Sequence, residues 1–209
     1  MKQNHKALYD IVFYLIFPFV IWKFGKHYMD AYYAMLISSV PGIFYTLYSF
    51  KKERQFHVTG FFILITMIVN TSVDLLSGSA EKMLWNDVYY HITLGTLVIC
   101  TIFIKQPLML YFAADYAALQ GYDRKESQVL YRDPRLFPSF QYFTLFFGLQ
   151  FIVLSFIKIY MISKFGVDGY GEMKAIMTGI GWFVSIGIGA GFLWVGHKIR
   201  QVTEAEFNL

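Results

Sequence analysis

Long apolar blocks separated by short charged clusters set the pattern of this chain. Six blocks stand out, approximately Leu8 to Phe24, Met29 to Phe50, Val58 to Ser77, Asp87 to Ile104, Ser139 to Ile162 and Met173 to His197. Each approaches the ~20 residues that an α-helix, rising about 1.5 Å per residue, needs to cross ~30 Å of hydrocarbon. Membrane β-strands alternate in polarity over ~10-residue segments, whereas Phe61 to Val69 and Phe146 to Leu154 are almost continuously apolar. The pattern predicts an all-α fold, a single integral membrane domain of six transmembrane helices over residues 1–209. No small-residue cleavage site follows the first block, where Trp22, Lys23 and Phe24 stand instead, so it reads as a helix and not as a secretory signal. Pro18 and Pro41 fall inside the first two blocks, where each is expected to remove a backbone hydrogen bond and kink its helix.

The longest connection runs from Gln106 to Pro138. Leu108, Leu110, Tyr111, Ala114, Tyr116, Ala117 and Leu119 predict an amphipathic helix lying at the membrane surface and ending at Gly121. Arg124, Lys125, Arg132 and Arg135 then meet anionic headgroups or a protein partner, each worth roughly 1 kcal/mol beside such a surface. The plainer alternative is a solvated linker carrying ordinary positive charge. Asp133-Pro134 and Phe137-Pro138-Ser139 read as turns, the latter leading into the fifth span.

Composition agrees: 56% of the chain is hydrophobic and 15% is charged, against about 25% charged in soluble domains. A disordered or fibrous chain is excluded as well. Cys100 is the single cysteine, so there is no disulfide framework and no cysteine metal cluster. The net charge of +4 lies between the apolar blocks and forms no recognition patch, which makes the lipid bilayer, and not nucleic acid, the expected partner.

Charge also orients the spans. With the N-terminus inside, one face collects Lys2, Lys6, Lys51, Lys52, Arg54, Lys105, Arg124, Lys125, Arg132, Arg135, Lys198 and Arg200, and the other only Lys23, Lys26, Lys82, Lys164 and Lys174. Twelve against five places both termini in the cytoplasm. Trp22, Tyr28, Tyr32, Tyr33, Trp85, Tyr89, Tyr90, Tyr142, Tyr160 and Tyr170 cluster near the predicted ends as an aromatic belt.

Ser39-Val40-Pro41 through Tyr45, the basic turn Lys51-Lys52-Glu53-Arg54, the Asp74-Leu75-Leu76-Ser77-Gly78 loop and the exit Gln106-Pro107-Leu108-Met109-Leu110-Tyr111 give the chain a resemblance. Over about Asp10 to Tyr111 it resembles the intracellular septation protein A-like group of small bacterial multi-pass membrane proteins; the last two spans match only in layout. Members of that group often carry a basic residue directly before the Pro-Leu pair, where this chain has Gln106, with Lys105 one position earlier. The resemblance implies a bacterial inner-membrane protein connected with the cell envelope and division, and it brings no catalytic residues.

Ionisable groups inside spans cost about 2.5–3.5 kcal/mol at the centre on insertion scales and are the natural site candidates. Asp74, His91 and Lys158 each fall three or four residues from the expected outer end of a span, a shared depth of roughly 5–6 Å. Thr66, Asn70 and Asp74 recur every four residues on one helical face, Asp87 and His91 repeat that spacing on the next span, and Gln150 lies deeper on the fifth. Together Asp74, His91, Lys158, Asn70, Asp87 and Gln150 outline an outward-facing polar cavity that binds a small or lipid-linked substrate. The alternatives are structural: Lys158 snorkelling to the interface, Asp74 paired with Lys158 or His91 to hold helices together, and His91 as an interfacial residue.

On the last span Gly181, Ser185 and Gly189, with Gly187 and Gly191 beside them, predict close helix packing, internally or in a homodimer. No phosphate loop, dinucleotide glycine pattern, His-Glu-x-x-His or Gly-x-Ser-x-Gly occurs. No cofactor or metal is expected, because only His91 lies clearly within a span, although His57 and His197 fall at inner helix ends. Two functions compete: a non-enzymatic protein that binds or moves its substrate through the cavity, and a scaffold that recruits envelope partners through its basic cytoplasmic face. An intramembrane enzyme using Asp74 and His91 as acid and base lacks a nucleophile to accompany them.

Overall fold

The computed structural model describes residues 9, 11–52 and 58–207, and among them every regular element is helical. A π-helical turn at Val12–Ile16 leads into α1 (Phe17–Gly25) and α2 (Ala31–Lys52). Then follow α3 (Val58–Leu76), α4 (Ala80–Phe103), α5 (Leu108–Leu119), α6 (Arg124–Leu130), α7 (Phe137–Phe165) and α8 (Tyr170–Phe207). Lys2, Lys6, Glu53, Arg54 and His57 lie outside the described residues.

Helices α3, α7 and α8 are long and apolar enough to cross a membrane, and α4 with α5 gives a fourth span if the pair, bent by 87°, is taken as one. Helices of this length and composition suit a membrane protein. The expected first span is the short apolar stretch Val12–Gly25, about 21 Å at a helical rise of about 1.5 Å per residue. Helix α2 has the length, but Tyr32, Tyr33, Ser38, Ser39, Tyr45, Thr46 and Tyr48 dilute its apolar character. Pro18 sits in the first turn of α1, directly after the π-helical turn. The chain enters through the π-turn, and the Phe17 amide closes that turn on the Val12 carbonyl.

The chain divides into two compact units. The first holds residues 1–56, 60–90 and 154–181. Its core is built on Trp22, Met35, Leu84, Val88 and Met173, all nearly inaccessible. Trp22 meets Tyr170 edge-on with ring centroids 5.1 Å apart. Gly171 makes room for it, since a Cβ there would lie 2.8 Å from Trp22 Cδ1. Phe13 stacks on Tyr45 at 4.9 Å, and the Tyr14 and Thr46 hydroxyls are hydrogen-bonded at 2.8 Å.

The second unit holds residues 57–59, 91–153 and 182–209. Here α5 lies where the amphipathic helix is expected, ending before Gly121 (φ +96°), with Tyr116 and Leu119 exposed and most of its other residues packed inside the unit. Met109, Leu110, Phe112, Ala113, Ala114, Asp115 and Ala117 are all buried. A helix apolar on most of its circumference is a core helix, and the small residues Ala113, Ala114, Ala117 and Ala118 let its neighbours close around it.

The sharp bend before α5 is fully hydrogen-bonded. Lys105 takes the left-handed conformation (φ 58°), which lets its own amide reach the Ile102 carbonyl and the Gln106 amide the Thr101 carbonyl. Pro107 then forbids continuation of α4. The first amides of α5 are taken by hydroxyls from other helices: Leu108 N–H donates to Thr101 Oγ1 at 3.2 Å and Met109 N–H to Thr144 Oγ1 at 3.1 Å. A helix start buried away from water needs such acceptors.

Close helix approach occurs, but only partly where the glycine pattern predicts it. A Cβ on Gly187 would meet Phe146 at 3.3 Å, and one on Gly191 would meet Phe143 at 2.3 Å, so this strip packs against α7. The other strip does not. Nothing lies within 4 Å of a Cβ built on Gly181 or Gly189, and Ser185 is exposed. The tightest backbone contact joins Gly95 of α4 to Gly148 of α7, where a Cβ on Gly95 would sit 2.7 Å from the Gly148 carbonyl oxygen.

Gly95→Ala is therefore expected to destabilise the protein by about 1–3 kcal/mol, the usual cost of overpacking, whereas Gly189→Ala is neutral or slightly stabilising. Paired thermal melts in one detergent measure the difference, and equal melting temperatures would refute the contact.

Candidate functional site

In the first unit, Asp74, Asp87, Lys158 and Lys174 lie on α3, α4, α7 and α8. Asp74 lies two residues from the end of α3 and is 8% exposed. Its Oδ2 accepts from Asn70 Nδ2, one turn earlier on the same face, at 3.4 Å. The helix end itself is capped from α2: the Tyr32 hydroxyl donates to the Asp74 carbonyl at 3.1 Å and to the Leu75 carbonyl at 2.7 Å. Ser77 donates back to the Val73 carbonyl and accepts from Asn86 Nδ2 at 2.9 Å. These bonds satisfy carbonyls that a helix terminus leaves open.

Asp87 on α4 and Lys158 on α7 form an ion pair, with side chains 17% and 18% exposed. One turn beyond Asp87, the Tyr90 hydroxyl donates to the Thr66 carbonyl of α3 at 2.8 Å. The Thr66 hydroxyl is itself turned back onto its own helix, to the Phe62 and Ile63 carbonyls. Lys174, in the second turn of α8, is half-buried in the same unit.

The shared-depth picture changes accordingly. Helix α4 starts at Ala80, with Ser79 accepting the Lys82 amide at its N-terminus, so Asp87 lies seven residues in and His91 one turn further. Helix α7 continues to Phe165, which leaves Lys158 about 10 Å from its end at about 1.5 Å per residue. Asn70, Asp74, Asp87 and Lys158 all belong to the first unit; His91 and Gln150 belong to the second, where His91 stacks on Phe151 at 6.1 Å. Lys174 was counted only as a loop charge in the sequence pattern, because the expected span began at Met173.

The second unit holds a buried acid the sequence pattern does not single out. Asp115, 1% exposed, sits in Ala113-Ala114-Asp115-Tyr116-Ala117, where its neighbours read as a helix face. Its Oδ2 accepts from the Thr59 amide at 2.7 Å and from Thr59 Oγ1 at 2.8 Å, which caps the start of α3 from another helix. Arg124 closes on Oδ1 at 2.9 Å. Of the four basic residues expected to meet headgroups, Arg124 thus serves Asp115, Arg132 donates to the Tyr111 hydroxyl at 3.2 Å, and Arg135 grips Asp133 through two nitrogens at 2.9 and 2.7 Å. Lys125 remains exposed. The hydrogen bonds from Arg135 hold the Asp133 carboxyl well below the usual range, at about 2.

Among the described residues no group of three or more His, Cys, Asp or Glu is placed to hold a metal ion. No family model, no curated protein and no solved structure matches the chain.

Two predictions concern this chemistry. Asp115→Ala strips the cap from α3 and strands Arg124, and is expected to cost about 2–4 kcal/mol, measured by thermal or denaturant unfolding; a change near zero would show that the cap is idle. For Asp133, the folded-state value is depressed, so its contribution to stability is full above the unfolded-state value near about 3.9 and is lost as pH falls towards 2. Carboxyl NMR should give a midpoint near 2 that rises to the ordinary range in Arg135→Gln; an ordinary midpoint in the wild type would contradict the geometry.

Proposed function

We propose that this chain is a non-enzymatic multi-pass protein of a bacterial inner membrane that binds or moves a small or lipid-linked substrate at the Asn70, Asp74, Asp87, Lys158 and Lys174 cluster. In this reading the chain makes six crossings with both termini in the cytoplasm, in keeping with the charge count and the resemblance to the septation protein A-like group, and the cluster opens outwards. The observation that carries the binding role is the gathering of two carboxylates and two ammonium groups on four apolar helices of one unit, beside a buried amide oxygen, Asn70 Oδ1, that accepts no hydrogen bond among the described residues. Charges in hydrocarbon are expensive, and a purely structural pair needs two of them, not four.

Solute-dependent thermal stabilisation of the purified protein, over a library of charged metabolites and lipid headgroups, tests this. At least one compound is expected to raise the melting temperature of the wild type and to lose most of its effect, about tenfold or more in affinity, in Asp74→Asn and Lys174→Met. Hits that survive both substitutions, or no hit at all, would remove the cluster as a binding site.

A further inference from the structure

The elbow between α4 and α5, in the second unit, keeps a costly lysine. Among the described residues the left-handed backbone conformation falls on Gly78, Gly121, Gly166 and Lys105. Glycine adopts it freely, whereas a residue with a Cβ crowds the following carbonyl and is disfavoured there. The chain places glycine at three of these turns and lysine at the fourth, which implies a use for that side chain beyond the turn itself. Lys105 is exposed and forms no ion pair among the described residues.

A second cation stands at the same elbow. Gln106, next to Lys105, is joined to Arg132 through one phenol: the Tyr111 hydroxyl reaches Gln106 Oε1 at 3.5 Å and accepts from Arg132 Nη2 at 3.2 Å. Tyr131, packed on Phe140 with ring centroids 4.8 Å apart, anchors the backbone beside Arg132. Arg124 is neutralised by Asp115 and Arg135 by Asp133, but a phenol leaves the charge of Arg132 and most of its N–H donors unspent. Such a planar fork fits two oxygens of one phosphate. Leading up to the corner, Leu97 and Cys100 on the last turns of α4, with Phe103 and Ile104 at its end, are exposed. We propose that Lys105, Gln106, Tyr111 and Arg132 bind an anionic phospholipid, its phosphate held by the two cations and its chains running along Leu97, Phe103 and Ile104. The corner belongs to a different unit from the charged cluster and does not rest on that cluster's role.

Phosphate is common to headgroups and to free anions, and two arms separate them. In the first, the full-length protein is placed in nanodiscs of equal phosphatidylglycerol and phosphatidylcholine, and the retained lipids are counted by native mass spectrometry. In the second, glycerol phosphate and inorganic phosphate are titrated at constant ionic strength and read by thermal shift. The wild type is expected to retain phosphatidylglycerol over phosphatidylcholine about tenfold. That ratio should fall about fivefold in Arg132→Gln and in Lys105→Gly, the effect of one cation beside an anionic headgroup, and change less than about twofold in Lys125→Gln. Lys105→Gly should also melt at the wild-type temperature or higher, because glycine takes the left-handed turn freely. This separates lost lipid contact from lost structure, and the variant reads the same ratio should Arg132→Gln not fold. Equal retention of the two lipids would overturn the site, and so would a loss in Lys125→Gln as large as in Arg132→Gln, which marks diffuse attraction to positive charge. A lower melting temperature in Lys105→Gly with retention unchanged would return the lysine to the turn alone. Stabilisation by the free phosphates that is lost in Arg132→Gln, without any lipid preference, would reject the phospholipid in favour of a soluble anion.

Discussion

Hydrocarbon offers no hydrogen-bond partners, so every polar group that enters it must be answered from within the protein. In this chain the demand is greatest where helices stop. The C-terminus of α3 is answered by the Tyr32 hydroxyl from α2, its N-terminus by Asp115 from α5, and the start of α5 by Thr101 and Thr144 from α4 and α7. Each cap comes from a different helix, so closing the backbone and packing the helices are one process.

The same demand governs the charges. Asp87 and Lys158 sit on different helices and are mostly buried, and either alone would be costly in that setting. Asp115 meets the requirement through two hydrogen bonds from Thr59 and an ion pair with Arg124. Asn70 Oδ1 is the departure from the rule inside the charged cluster. An unanswered acceptor among answered charges is what gives the cluster a functional reading and not only a structural one.

The apolar periodicity of the sequence made the all-helical membrane class legible, because long uninterrupted runs such as Phe61 to Val69 admit no other cheap arrangement. It singled out Asp74, Asp87 and Lys158, which lie in one unit, the last two as an ion pair. Hydrophobic counting could not see that helices outrun the apolar blocks: α4 begins at Ala80 and α7 ends at Phe165, which changes the depth of every charge measured from those ends. Asp115 was hidden for another reason. Its row of alanines looks like the face of a surface helix, and only the tertiary fold shows that this face is covered. The glycine pattern of α8 is realised in part, with Gly187 and Gly191 against α7, while the tightest contact, between Gly95 and Gly148, lies outside that pattern because it joins two different helices.

The account stands on charges that are paired because they are buried, and the Asp87–Lys158 pair is its most direct expression. A double-mutant cycle with Asp87→Asn, Lys158→Met and the combination, read by reversible unfolding in one detergent, measures it. Each single change is expected to destabilise by about 2–4 kcal/mol by stranding its partner, with the double variant recovering most of that loss. Single variants indistinguishable from wild type, with no coupling between them, would contradict the account.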